Sequence, residues 1–168
     1  MAMATKSQDL RKARVRKALG VAGRTGTGRC SGVYCHGATL SEAGPQITEL
    51  AEHLGIPVIT SPNGMGCIPG DHPLALGFIG RNGAYPANEA GRRSDLVITL
   101  GTRFDDRSSS SWHPGYSWNF PKTRLIHVDI DPQELGRNYA PDLGVIADVQ
   151  VFMSQLRQAL ASRAEISA

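Results

Sequence analysis

The sequence predicts one α/β domain built on a parallel sheet with helices on both faces. Three observations predict it. From Thr39 onward, strand-like and helix-like segments alternate at short intervals. The strand-like segments are near-continuous apolar runs, the pattern of strands buried on both faces. The chain has 168 residues, 40% hydrophobic and 20% charged, which is enough for one compact core. Nineteen glycines, ten prolines and 6% aromatics describe a loop-rich globular chain rather than a coiled coil, a collagen or a disordered tail. No run approaches the roughly eighteen apolar residues of a membrane-spanning helix. The basic start lacks the apolar stretch and small-residue cleavage site of a secretory signal. Three cysteines at irregular spacing make no disulfide framework and agree with a reducing compartment, so a cytoplasmic location is expected.

The elements follow in order. Thr39 and Glu42 have capping-box spacing and Pro45 suits a first helical turn. Ile47, Leu50, Ala51 and Leu54 then repeat at helical spacing up to a stop at Gly55. Ile56 to Thr60 reads as a short buried strand, ended by the turn Ser61-Pro62-Asn63-Gly64. Leu76 to Gly80 is a weaker apolar stretch, and Ala87 to Arg93 a short helix. Leu96 to Gly101 is the clearest strand, and Arg124 to Asp131 a second, reached through a loop rich in Ser, Trp, Pro and Gly. Asp131-Pro132 has the form of a cap followed by the first helical position, opening a short helix through Leu135. Val145 to Ala147 is another strand. Asp148 caps a final helix whose Val149, Phe152, Met153, Leu156 and Leu160 form one stripe.

Ligands of an open parallel sheet bind beyond the carboxyl ends of its strands, so the residues just after each strand are the informative ones. Gly101-Thr102-Arg103-Phe104-Asp105-Asp106-Arg107 offers a glycine for close backbone approach and arginines for a diphosphate or carboxylate. Asp129 and Asp131 stand where an acidic residue accepts hydrogen bonds from a ribose, and Asp148 is placed similarly. Each also has a plain structural reading: a salt-bridged turn for the Arg and Asp series, helix caps for Asp131 and Asp148.

Other motifs point away from chemistry. The run Gly23-Arg24-Thr25-Gly26-Thr27-Gly28 follows no strand and lacks a Gly-Lys-Ser/Thr ending. Cys30, Cys35 and His36 lack a fourth ligand at metal-site spacing, so no metal site is expected. No nucleophile elbow is present, and adjacent Asp105 and Asp106 point apart rather than forming a dyad, so no catalytic residue is assigned. Residues 1–37 hold eight Lys or Arg against one acid, Asp9. Without aromatic residues in positions 1–33 for base stacking, this basic head does not argue for a nucleic-acid partner.

The segments HGATLSEAG, LAEHLGIPVITSPNGMGCIPGDHPLALGFIGRNG, SDLVITLGTRFDDR and RLIHVDIDPQELGRN, taken in that order over roughly Gly37 to Leu160, carry a resemblance. The chain resembles the central domain of thiamine-diphosphate-dependent enzymes of the acetolactate synthase family. That resemblance implies a Rossmann-like, doubly wound, six-stranded and mostly parallel sheet. It further implies, in flavin-containing members, an FAD not used for redox turnover. By matching position the FAD-contacting residues are Cys35, His36 and Gly37; Ser61, Pro62 and Asn63; and Ile79, Gly80, Arg81 and Asn82. Further on they are Gly101, Thr102, Arg103, Asp105 and Arg107; Asp129, Ile130 and Asp131; and Ala147 and Asp148. FAD-binding members often have glycine where Cys35 and Ala147 stand and a Met-His pair where Arg81-Asn82 stand.

The resemblance also implies a parent reaction, carboligation or cleavage of a 2-keto acid with thiamine diphosphate and Mg²⁺. Two flanking domains of the family, one with an activating Glu and one with a Gly-Asp-Gly…Asn signature, hold that cofactor, and neither is in this chain. The expected role is therefore a nucleotide-binding and scaffolding domain, with an FAD or ADP-type nucleotide as ligand and thiamine-binding domains or subunits as partners in a homo-oligomer. No complete catalytic cycle is expected from the chain alone. The alternative is a non-catalytic structural or interaction module that binds no nucleotide. An NAD-dependent dehydrogenase or deacylase lacks its ordered glycine signature and a catalytic His. Residues 1–34 are read as a basic, Gly-rich leader, 35–162 as the domain and 163–168 as a tail. Arg14 to Tyr34 departs from the family's apolar first strand, which is either compromised or replaced by Gly32 to Cys35.

Overall fold

The computed structural model describes residues 31–167. The glycine run at Gly23–Gly28, Cys30 and most of the expected leader lie outside the described residues. Among the described residues there are six strands: β1 (Ser31–Cys35), β2 (Val58–Thr60), β3 (Ala75–Phe78), β4 (Leu96–Leu100), β5 (Arg124–Asp129) and β6 (Leu143–Ile146). They form one sheet in the order β3-β2-β1-β4-β5-β6, with every pair parallel. The doubly wound α/β expectation is met. Chain order reverses between β1 and β4, the switch point of this topology.

Among the described residues three helices cover the sheet: α1 (Gly44–Leu54), α2 (Tyr85–Arg93) and α3 (Val149–Ser167). Residues alternate across each strand, so Val33, Ile98 and Ile126 face one side while Tyr34, Val97 and Leu125 face the other. The first side packs on α1 and α3, through Ile47, Leu50 and Ala51 of one and Val149, Phe152, Met153 and Leu156 of the other. Burying each of the larger side chains is worth about 2 kcal/mol. The second side packs on Ala87 of α2 and on an aromatic cluster, Phe104, Trp118, Phe120 and Tyr139, supplied largely by the long segment between β4 and β5. No helix among the described residues is long and apolar enough to cross a membrane.

Two local expectations are corrected. The capping box at Thr39 and Glu42 does not form: residues Gly37–Thr39 make a 3₁₀ turn, Glu42 has φ 52°, and α1 starts at Gly44 with Pro45 in its first turn. A left-handed residue cannot belong to a right-handed first turn. The helix expected from Asp131 to Leu135 is a series of turns, because Asp131 Oδ1 accepts from the Gln133 N–H and Gly136, at φ 80°, redirects the chain at once. β1 begins at Ser31, inside the segment read as leader, and its Val33 and Tyr34 are fully buried at the centre of the sheet. Gly32 to Cys35 thus lie within a strand, while Arg14 to Cys30 lie outside the described residues. The stop at Gly55 (φ 63°) and the Asp148 cap, whose Oδ1 accepts from the Val151 N–H at 3.1 Å, form as read.

Backbone segments pack closely where β2 ends. Ser61 donates its N–H to the Cys35 carbonyl, and its hydroxyl accepts from the Gly64 N–H at 3.0 Å, closing the 3₁₀ turn Pro62–Gly64. A β-carbon on Gly64 would stand 2.1 Å from the Cys35 carbonyl oxygen. Gly64→Ala is therefore expected to destabilise the chain by about 3 kcal/mol, whereas Asp148→Ala should cost about 1 kcal/mol. Urea unfolding of the two variants beside the parent chain checks both values.

Candidate functional site

All strands are parallel, so all six carboxyl ends open on one side of the sheet. Every residue singled out for nucleotide contact lies there, as the last residue of a strand (Cys35 and Asp129) or in the segment that follows one. Backbone bonds join these segments into a continuous band. His36 donates to the Leu100 carbonyl, Gly37 to Gly101, Gly101 to Val128, Ser61 to Cys35, Ile79 to Thr60 and Ala147 to Asp129. At the switch point Gly37 and Gly101 touch backbone to backbone: the Gly37 N–H reaches the Gly101 carbonyl at 2.9 Å. A β-carbon on Gly101 would sit 3.0 Å from the Gly37 Cα. The close approach these glycines permit is first of all to each other.

Side chains divide the band into a buried layer and an exposed one. Cys35 is fully buried and points into the core on the α1 side, so a cysteine at this position adds nothing to the cleft. Its free thiol shares a hydrogen bond with the free thiol of Cys67, also buried; this contact raises the Cys35 pKa and lowers that of Cys67. Ser61, Ile79, Gly80 and Thr102 are buried as well, whereas Pro62, Asn63, Arg81, Asn82, Arg103, Asp105, Arg107, Ile130 and Asp131 are exposed. Ala147 and Asp148 are half-buried.

The charged groups are largely engaged within the band. Arg81 pairs with Asp106 at 2.6 Å. A hydrogen bond with Ser111, together with Arg81 and Arg107, holds the Asp106 carboxyl below its ordinary range. Asp105 Oδ1 accepts from the Ser108 N–H at 2.8 Å, which fixes the turn between the two arginines. Asp129 Oδ1 accepts from the Asp131 N–H at 2.9 Å, Asp131 Oδ1 from Gln133 and Asp148 Oδ1 from Val151. Each of these carboxylates thus has one oxygen committed to the loop that carries it. Arg103 leans on Glu134, with its Nε 3.8 Å from Oε1, and its carbonyl accepts from Asn138 Nδ2 at 2.8 Å.

Sequence reasoning missed the residues that hold these groups in place. Phe104, buried and left-handed at φ 51°, meets Tyr34, Trp118, Phe120, His127 and Tyr139 in ring contacts centred 5.1–5.8 Å apart. Its carbonyl accepts from Trp112 Nε1 and Asn138 Nδ2. Asn88 of α2 both accepts from the Gly80 N–H and donates to the Gly80 carbonyl, and through Ser117 and Ser110 ties that loop to the segment after β4. Glu134 and Arg137 were legible only as an i, i+3 pair; nothing local announces that Glu134 is buried.

Two histidines face the band. His36 is half-buried at the switch point; burial lowers its pKa and Arg103 lowers it further, against the pull of Asp105 and Asp129. His127 is 1% exposed, and its Nε2 lies 2.8 Å from the Thr102 carbonyl. A carbonyl only accepts, so Nε2 carries the proton; Nδ1 is buried without a partner. Burial pushes the Tyr34 phenol, set among Ser108 and Thr102, up to about 12. Among the described residues no three His, Cys, Asp or Glu side chains form a metal-ligand group.

A family model described as thiamine pyrophosphate enzyme, central domain, matches residues 33–156. The chain is 39% identical over 124 residues to a probable acetolactate synthase large subunit of Methanocaldococcus jannaschii, a span covering 74% of this chain and 20% of that protein. It is 42% identical over 121 residues to an acetolactate synthase of Mycobacterium bovis, covering 71% and 19%. It is 41% identical over 120 residues to an acetolactate synthase large subunit of Cyanidium caldarium, covering 71% and 20%. The chain thus spans about a fifth of the length of the curated relatives it matches.

The burial of His127 has a pH signature. Burial lowers its pKa from the ordinary 6.5, and the Thr102 carbonyl, Asp129 and Glu134 only partly oppose that. The unfolded chain therefore binds the proton more readily, so this group's contribution is intact above about pH 6.5 and is lost as pH falls through that value toward the folded pKa. His127→Gln, which keeps a donor for Thr102, should flatten the decline of Tm between pH 6.5 and 5 measured for the parent chain.

Proposed function

The chain belongs to the family of thiamine pyrophosphate enzyme central domains, in its acetolactate synthase group, and from that membership we propose that it is the nucleotide-binding and scaffolding unit of such an enzyme. The parent reaction on this reading is carboligation or cleavage of a 2-keto acid. The observation that carries the nucleotide assignment is an exposed guanidinium, Arg103, directly after β4 at the switch point of an all-parallel sheet. That is where a diphosphate meets loop amides and positive charge.

The residues present fit an ADP-type ligand. Arg103 and Arg107 are exposed and suit phosphate oxygens. Asp129 and Asp131 each keep one carboxylate oxygen beyond the one given to a backbone amide, enough to accept from ribose hydroxyls. The replacement of glycine by Cys35 leaves the cleft unchanged, because that side chain points into the core. Arg81, where flavin-binding members carry Met, is drawn aside by Asp106. Between FAD and a smaller adenine nucleotide, the polar end of the site treats both alike.

Thiamine diphosphate and Mg²⁺ do not fit here in the same way. The described residues bring no metal-ligand group together, and the chain has no Gly-Asp-Gly…Asn segment. In the parent enzyme that cofactor supplies carbanion stabilisation, and we assign its binding to domains or subunits beyond this chain. A specific observation favours a second reading, a module that only docks such partners. Leu40, Met65 and Ile130, on the loops after β1, β2 and β5, are 92%, 57% and 71% exposed.

Thermal-shift and calorimetric titration against FAD, ADP, NAD and thiamine diphosphate with Mg²⁺ separates the readings. Saturable binding of FAD or ADP is expected, adding about 2.7 kcal/mol of stability at a hundredfold excess over Kd. Arg103→Ala should weaken it about tenfold. A folded chain that none of the four stabilises would favour the docking module instead.

A further inference from the structure

One carboxylate at the carboxyl end of the sheet is placed where its surface neighbours do not account for it. Glu134 lies in the turns after β5 with only 10% of its side chain exposed, and its Oε2 is buried without a partner. Its other oxygen takes two guanidinium groups at once, Arg137 through Nη1 at 3.0 Å and Arg103 through Nε at 3.8 Å. Both arginine side chains are themselves exposed, at 69% for Arg103 and 62% for Arg137. Asn138, the residue after Arg137, donates to the carbonyls of Arg103 and Phe104 at 2.8 and 3.2 Å, so the segments after β4 and β5 are clamped together at this point.

Burying a carboxylate is costly, and ion pairs with arginines this exposed return little of that cost as stability. What the arrangement supplies is geometry. Two like-charged guanidinium groups repel when brought together unassisted. A shared carboxylate oxygen cancels one charge, brings both heads within the span of one diphosphate, and engages Arg103 only through Nε. The two Nη groups of Arg103 remain available for phosphate oxygens.

We propose that Arg137 binds the phosphate groups of the ligand together with Arg103, and that Glu134 is the positioning residue that holds the two guanidinium groups as one fork. The proposal rests on the nucleotide reading above and deepens it by naming two residues that reading does not contain.

The test is calorimetric titration of the full chain with ADP and with inorganic pyrophosphate at low and high salt. Arg137→Ala, an exposed change, should weaken both ligands about tenfold and flatten the dependence of affinity on salt, since one fewer charge meets the phosphates. Arg137→Lys should recover part of the loss. Glu134→Gln, which leaves both arginines in place, should also weaken ADP; if that variant fails to fold, Arg137→Ala and Arg137→Lys carry the test. ADP binding that falls in Arg103→Ala but is unmoved, in affinity and salt dependence, by Arg137→Ala would overturn the fork and leave the nucleotide reading standing. Pyrophosphate binding lost in Arg137→Ala, in a parent chain that ignores ADP, would uphold the fork and overturn that reading. A parent chain that binds neither ligand would overturn both.

Discussion

The contact on which the rest of the structure depends is the meeting of two glycine backbones at the centre of the sheet. Gly37 and Gly101 lie just past the two middle strands, and the hydrogen bond between them holds the backbones so close that a β-carbon on either would crowd the other, at 3.2 and 3.0 Å. From that contact the chain diverges. After β1 it turns onto the face covered by α1 and α3, and after β4 onto the face filled by the aromatic cluster. A crevice opens because neighbouring strands send their loops to opposite sides. Its floor is backbone, so its chemistry comes from side chains set around the rim.

Those rim residues are steadied from below by polar groups that the apolar core alone would not demand. His127 anchors the Thr102 carbonyl, Asn138 the carbonyls of Arg103 and Phe104, and Asn88 both backbone groups of Gly80. Phe104 accepts a left-handed conformation at the start of the long segment after β4, which places its ring among five others and leaves Arg103 outside. Strain of this kind persists only where the surroundings over-determine it. Here the surroundings are rings on one side and hydrogen-bond donors to the same residue's carbonyl on the other.

Much of this was legible in the sequence where one local force dominates. Leu96 to Leu100 and Leu125 to Val128 are runs that only a doubly covered strand can bury, and Val149 to Leu156 has the period of a helix with one apolar face. The misreadings fall where tertiary contacts override local chemistry. Thr39 and Glu42 have the right residue types for a cap, but the chain there must first wrap around the Gly37–Gly101 contact. Asp131-Pro132 has the form of a helix start, yet Asp131 spends its carboxylate on a turn. The loops that gather at the carboxyl end followed from strand positions alone. The partners that hold their arginines did not, because burial of Glu134 and the reach of Asn138 toward Arg103 join segments separated by the whole of β5 and the aromatic loop.

The strand order also has a consequence for how the chain reaches its native state. β1 and β2 flank a single helix and can find each other locally, and β4, β5 and β6 lie side by side in chain order. The pairing of β1 with β4, from Ser31↔Leu96 to Cys35↔Leu100, instead closes a loop containing α1, β2, β3 and α2. The entropy of that closure must be spent before the central contacts return anything. The central seam is therefore the kinetically demanding step of folding, and until it closes each half of the sheet exposes an open strand edge. The same seam that creates the crevice sets the interval during which the chain is most exposed to pairing with another copy of itself.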